Sequence, residues 1–342
     1  MTMNFEEFCP YPVVGKGNIM AGVLADSVNV WGNRLTTFRL HYPRFIHAEF
    51  MTHRMFSKNA SSSRAIPVSR VIEQVTDNPA MPIHWGKNQP GMQANEECTN
   101  PIIQDVDSAG YKTIDFSRED WWRLSAKEMI KFAREFSDSG YHKQVVNRLL
   151  EPYQYMNVVM SATDLDNFFW LRIHEAADPN IHELARVMYE AYSDSTPEEL
   201  RFGEWHTPYV IHTRDVNTNE LKYFLDSANG DSLSAEDACK ISASCAAQAS
   251  YRKLDTSIDK ALSIYDKLVE MTPIHASPFE HVATPFSEKE IMVRSQAKHT
   301  LDINNIDNSD QVFYKGNFKG WTQLRKTFKN ENYTKQWKPD ND

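Results

Sequence analysis

Cysteine is scarce: Cys9, Cys98, Cys239 and Cys245 are the only ones in 342 residues, and no two stand in C-x-x-C spacing. That excludes a zinc ribbon and offers no disulfide framework, so reduced thiols and a cytoplasmic location are expected. Glycine (12) and proline (16) are too few for a fibrous or low-complexity chain. No G-x-G-x-x-G or G-x-x-x-x-G-K-[ST] is present, which leaves a dinucleotide fold and a P-loop unsupported. The G-x-S-x-G of a nucleophile elbow is missing too. Positive charge is short: 37 Lys and Arg against 46 Asp and Glu give −9, which argues against a nucleic-acid polymer as partner. A small phosphorylated ligand needs only a local Arg cluster. Long apolar runs are also missing, the Met156 to Ala162 stretch being far too short to span a bilayer. The start, MTMNFEEFCPYP, has no basic stretch followed by an apolar one, so no secretory leader is expected.

What remains is ordinary globular material, with 41% hydrophobic, 24% charged and 12% aromatic residues. Val28, Val30, Leu35, Phe38 and Leu40 alternate with polar partners, which predicts two short strands turning at Gly32-Asn33. The segment after Pro43 reads as a helix. Residues 82–116 are rich in Pro, Gly and Asn with little periodicity, and read as an irregular insert. A helix opens at Ser117, with Asp120 three residues on, and shows Trp122, Ala126, Met129, Ile130 and Ala133 on one face before Gly140. Further helices are expected over 142–152, stopped by Pro152, from about Thr163 through FFWLRIH, and around Ile181 to Met188. Two more are expected over 236–252 and 256–271, the second capped by Thr256 and Asp259. The tail 330–342 is polar. The class is α+β with helices dominant.

The densest polar run is HRMFSKNASSSR, from His53 to Arg64. Its three serines between basic residues supply hydroxyls and N–H groups for an oxyanion, with guanidinium forks at both ends. A solvated polar loop accounts for the same composition. Arg172 lies in the aromatic NFFWLRIHEAAD, where it either snorkels to solvent or meets an anion. Arg148 poses the same choice, with Glu151 near in sequence. His275 and His281 flank SPFE, a spacing that suggests a metal site with Glu280, but no third His or Cys stands at ligand spacing, so no metal is expected.

The stretch THRMFSKNASSSR resembles the signature of flavin-dependent thymidylate synthases (ThyX), R-H-R followed seven residues later by Ser and then x-Arg. Thr52-His53-Arg54 stands for R-H-R, Ser62 falls on the motif serine and Arg64 on the arginine. NRLLEP is similar to the family's A-R-x-x-L-P helix through Arg148 and Pro152, and ATDLDNFFWLR to its N-F-x-x-L-R helix through Asn167, Phe168, Leu171 and Arg172. The family's first block, A-R-x-S-[FY], a helix and H-x-[TS]-P-F-E-H, is matched at the other end of this chain. Ala249-Ser250-Tyr251, the 256–271 helix and His275-Ala276-Ser277-Pro278-Phe279-Glu280-His281 resemble it in order. The chain is therefore similar to a long, circularly permuted ThyX-like group of phage and bacterial sequences. Its core matches are 36–64, 142–190 and 239–286, within one catalytic domain over 1–342. Departures are Thr52 for the first motif arginine, Ala60 for the usual glutamate and Glu49 for the usual glutamine.

The resemblance implies a helix-rich fold with an antiparallel sheet, and reductive methylation of dUMP to dTMP. FAD would carry the hydride, NADPH supply it, and methylenetetrahydrofolate give the carbon, with no cysteine nucleophile. It further implies a homotetramer with FAD between subunits. Arg172 would stabilise charge on the pyrimidine carbonyl, and Glu49, Ser62, Ser63, Arg64 and Arg148 would join it in holding the nucleotide. His53, Arg54, Met55, Asn167, Ser250, His275, Ser277 and Glu280 would hold the flavin. The departures keep two alternatives open: a related enzyme acting on dCMP or forming a hydroxymethyl product, and a non-catalytic nucleotide binder.

Overall fold

The computed structural model describes residue 9 and residues 11–105, 113–225, 232–249, 257–301 and 306–332. A short strand β1 (Val13–Val14) leads through Gly17, at φ +60°, into β2 (Met20–Asn29). Gly32, at φ +82°, turns the chain into β3 (Arg34–Pro43), the turn the sequence places there; the strands are longer than the alternation indicates. A 3₁₀ turn and α1 (His47–Phe50) follow, then β4 (Ser57–Ala60) and α2 (Val68–Asp77). The insert is not wholly irregular. Ile102–Asp105 (β5) and Thr113–Phe116 (β6) pair as an antiparallel ladder, which the scattered Pro, Gly and Asn around them obscure.

Ser117 caps α3 (Arg118–Asp138) by accepting from the Asp120 amide, as the sequence predicts. The helix expected over 142–152 is instead α4 (Lys143–Val146) running into a 3₁₀ turn to Tyr153, with Pro152 inside it. Proline tolerates that turn because its missing N–H costs a short 3₁₀ segment little. The apolar run noted for its shortness is β7 (Tyr155–Ala162), followed by α5 (Asp166–Arg172) and α6 (Pro179–Asp194). Then come β8 (Glu198–Leu200), β9 (Ile211–Arg214), β10 (Leu221–Phe224), α7 (Ala235–Ala247) and α8 (Ile258–Glu270). Helix α8 follows Ser257, whose side chain makes no cap hydrogen bond. The expected cap residue Thr256 lies outside the described residues. The chain ends in β11 (Ala283–Pro285), α9 (Glu288–Leu301), β12 (Tyr314–Lys315), β13 (Phe318–Lys319) and β14 (Trp321–Gln323). This mixture of helices and an antiparallel sheet is the expected α+β class.

The main sheet runs β1-β2-β3-β7-β4, with β8 added in parallel to β2 and the other pairs antiparallel. Central β3 is buried on both faces, and its period of two sorts the site. Phe38, Leu40 and Tyr42 join Met156, Val158 and Met160 of β7 in the apolar core beneath α5 and α6. Thr37, Arg39 and His41 face the other way, in register with Ser161, Val159 and Asn157 of β7. This second face is buried yet polar, and the carboxyl-terminal part of the chain covers it. A separate apolar cluster joins α2, α3 and the 146–153 turn. No helix among the described residues is long and apolar enough to cross a membrane.

Candidate functional site

The turn between α1 and β4 carries His53, and α5 carries Arg172 across from it. Tertiary packing of Phe50, Phe56 and Phe168 fixes both elements: Phe168 meets Phe50 at 6.0 Å and Phe56 at 5.2 Å between ring centroids. The His53 ring stands edge-on to Phe168, 4.8 Å away. Arg172 Nε donates to His53 Nε2 at 3.0 Å, and Arg172 Nη1 forms an ion pair with Glu49 Oε1. Accepting at Nε2 places the proton of a neutral imidazole on Nδ1. Burial, then the charges of Arg172 and Lys58, holds His53 down to about 4, so the ring stays neutral at physiological pH. The Arg172 side chain is 19% exposed, so it does not snorkel; it meets an anion, and that anion is this chain's own Glu49.

Beyond β4, the serine run forms a tied-down loop. Ser61 N donates to the Asn157 carbonyl at 2.8 Å, and Asn147 Nδ2 donates to the carbonyls of Ser63 and Ile66 at 2.7 and 2.9 Å. Lys143 Nζ adds a bond to the Ala65 carbonyl at 3.0 Å. Thus Ser62, Ser63 and Arg64 are brought beside the turn that bears Arg148. Arg64 is exposed, and Arg148, 65% exposed, lies 3.9 Å from Glu151. Glu151 is the closer partner of Arg44, at 2.8 Å. The two arginine forks face outward on an anchored base, which suits capture of a phosphate.

The carboxyl-terminal block returns to the same strand. Gln323 Nε2 donates to Ser57 Oγ at 3.1 Å and to the Glu280 carbonyl at 3.2 Å, while Asn317 Nδ2 donates to the Met55 carbonyl at 3.0 Å. Ser277 and Glu280 are thereby placed beside the His53 turn, although the Glu280 carboxylate is already paired with Arg325. His275, Arg54, Met55 and Asn167 are exposed, and Ser250 lies outside the described residues. Sequence reasoning missed Lys58, Asn317 and Gln323, and also His206, which bonds Ser27 and Thr37 under the sheet. A lone Lys within the signature was the available signal for the first; the others stand in GNFKGWTQ and GEWHTPYV, strings with no periodicity that assigns a role. No cluster able to hold a metal occurs among the described residues.

Among solved structures, the chain is similar to flavin-dependent thymidylate synthase ThyX from Helicobacter pylori, complexed with FAD and dUMP. That match is 15% identical over 46% of this chain and 67% of that one, with a TM-score of 0.30. A UMP/dUMP methylase from Streptomyces cacaoi bound with 5-bromo-dUMP matches at 18% identity over 47% and 67% of the two chains, with a TM-score of 0.29. No curated protein matches the chain. Residues 34–198, which carry Glu49, His53, the serine loop, Arg148 and Arg172, match the sequence model of the thymidylate synthase complementing protein family. Through that segment, just under half of its length, the chain is similar to the thymidylate synthase complementing protein family.

Proposed function

We propose that the chain is a flavin-dependent thymidylate synthase, methylating dUMP to dTMP in the cytoplasm. The observation that carries the reading is the Glu49–Arg172–His53 cluster, built on the family segment and set beside an anchored loop of serines and outward arginines. Ser62, Ser63, Arg64 and Arg148 hold the phosphate and sugar. Arg172 lies against a pyrimidine carbonyl and stabilises the charge that gathers there as C5 becomes nucleophilic. His53, neutral, fixes the guanidinium from behind.

The residues around His53 fit a flavin. Arg54 and Asn167 offer exposed donors and Met55 an exposed apolar side chain, each within two residues of His53 or Phe168 of the aromatic nest. Ser250, His275, Ser277 and Glu280 complete this set from the carboxyl-terminal block. Bound FAD supplies the hydride, with NADPH as its source and methylenetetrahydrofolate as the one-carbon donor. We take 1–342 as one catalytic domain whose 239–286 block replaces the family's amino-terminal segment, and the assembly as a homotetramer that covers the exposed edge. Support for the relocated block comes from His281, which bonds Ser161 of the sheet, and from Gln323, which bridges the Glu280 carbonyl to Ser57.

A second reading has its own observation. Glu49 is an acceptor when ionised, and can accept a hydrogen bond from the exocyclic amine of cytosine as well as from N3–H of uracil. Purified protein assayed in parallel with dUMP and dCMP, each with methylenetetrahydrofolate, NADPH and FAD, decides between them. Methylation of dUMP alone supports the proposal, a dCMP product or hydroxymethyl product moves it to the second reading, and no turnover with either removes both.

A further inference from the structure

Lys58 is the second residue of β4, where the ladder pairs it with Met160 and fixes its backbone. Its side chain doubles back over the preceding turn. Nζ donates to the His53 carbonyl at 2.6 Å and reaches the Met51 carbonyl at 3.5 Å. It lies 5.5 and 5.6 Å from the ring centroids of Phe50 and Phe56, the rings that pack against Phe168 and His53. An ammonium is at its cheapest in water, and this one is half-buried on an aromatic bed. Burial alone pulls Lys58 down to about 8. A fixed His53 turn offsets that cost.

We propose that Lys58 is a positioning residue of the site, which fastens the His53 carbonyl to the sheet and so sets the imidazole against Arg172. The other ties of the 51–56 turn do not hold the His53 carbonyl firmly: Thr52 N and Oγ1 bond back to the Glu49 carbonyl, His53 N reaches the Phe50 carbonyl at 3.3 Å, Asn317 Nδ2 holds the Met55 carbonyl at 3.0 Å, and Phe56 N reaches the His53 carbonyl only at 3.4 Å. The titratable groups that feel the Lys58 charge are His53 in the turn and His47 on α1, and the Arg172–Glu49 pair adjoins His53. Lys58 and Arg172 bear on His53 with the same sign, and burial adds to both. The proposal rests on reading Glu49, His53 and Arg172 as the working cluster, yet its first readout is independent of turnover.

The test compares Lys58→Met, which keeps the apolar stem, with Lys58→Arg, which keeps charge and donor. The His53 imidazole is followed by NMR through a pH titration of the full chain, its signals assigned by their loss in His53→Gln. In Lys58→Met the ring should titrate above its parent value and lose its single environment, with turnover falling; Lys58→Arg should restore both. Parent-like His53 titration and turnover in Lys58→Met would overturn the proposal. If Lys58→Met does not fold, Lys58→Gln takes its place, and collapse of both neutral variants with no restored His53 titration in Lys58→Arg reduces Lys58 to a folding requirement. A shifted His53 titration in a protein that turns over no pyrimidine nucleotide sustains the positioning role and removes the functional reading instead.

Discussion

Ser161 Oγ and His281 Nδ1 lie 2.8 Å apart in the fully buried layer beneath the sheet, joining a central strand to the carboxyl-terminal block 120 residues away. The bond is the last link of a chain. Ser27 Oγ meets His206 Nδ1 at 2.8 Å, His206 Nε2 meets Thr37 Oγ1 at 2.8 Å, and Thr37 Oγ1 meets Ser161 Oγ at 2.6 Å. The Thr37 and Ser161 hydroxyls each bridge two partners, so these links are satisfied only together. The Nε2 of His281 has no partner among the described residues, which leaves Ser161 as its ring's only bond.

Replacing Ser161 with Ala should therefore destabilise the fold by more than the loss of one ordinary hydrogen bond. It leaves a buried imidazole unsatisfied and interrupts the chain, a cost on the order of 1–3 kcal/mol. Urea denaturation at pH 7 measures it. An unchanged midpoint would mean that His281 finds another partner and that the chain does not hold the block.

The features legible in the sequence are those with local causes. The Ser117–Asp120 cap, the apolar face of α3 and the Gly32 turn each follow from residues a few positions apart. Family resemblance pointed to His53, Ser62, Arg148 and Arg172, and Glu151 beside Arg148 was legible from spacing, but the partners of Arg172 could not be read. Glu49 and Arg172 are 123 positions apart, and only the packing of Phe50, Phe56 and Phe168 brings them together. The central strand β7 was hidden because a strand buried on both faces shows an apolar run without alternation. The polar face of β3 was visible as alternation, but alternation alone reads as solvent exposure, and it took residues 206–323 to cover it.

Acid should weaken the fold earlier than carboxylates alone would. His41 is held down to about 4 and His281 to about 3, in both cases first by burial. The unfolded chain then binds protons that the folded one refuses, so stability is full above the ordinary histidine value of 6.5 and falls as pH drops toward 4. Each of these buried rings contributes a slope of up to about 1.4 kcal/mol per pH unit in that window. Urea midpoints should already fall between pH 7 and pH 5. A flat profile over that interval would show that these rings accept protons without unfolding.

Flavin should bind without nucleotide. The donors at the His53 edge are exposed and come from elements that the aromatic nest fixes in advance, so added FAD should raise the melting temperature by binding the native state. Light scattering on the same sample should give about four chain masses. Protein that stays colourless and unshifted in excess FAD would sink the cofactor assignment, and a monomer mass would sink the shared edge.

Arg172 gives the sharpest expectation. If its guanidinium stabilises charge on the pyrimidine, Arg172→Ala should lower turnover by about 100- to 1000-fold, on the order of 2.7–4 kcal/mol, by analogy with loss of one oxyanion donor. Flavin should remain bound, because the flavin candidates reach it from the His53 turn and the carboxyl-terminal block. Lys should rescue little. Arg172 holds His53 through Nε and Glu49 through Nη1, two bonds at a fixed angle that a single ammonium cannot reproduce. Glu49→Gln makes a useful companion, since it removes the countercharge while leaving Arg172 in place. Near-normal turnover in Arg172→Ala would reject the catalytic role, and loss of flavin would reassign the residue to the cofactor. If turnover falls while flavin occupancy and melting temperature hold, the guanidinium acts on the pyrimidine.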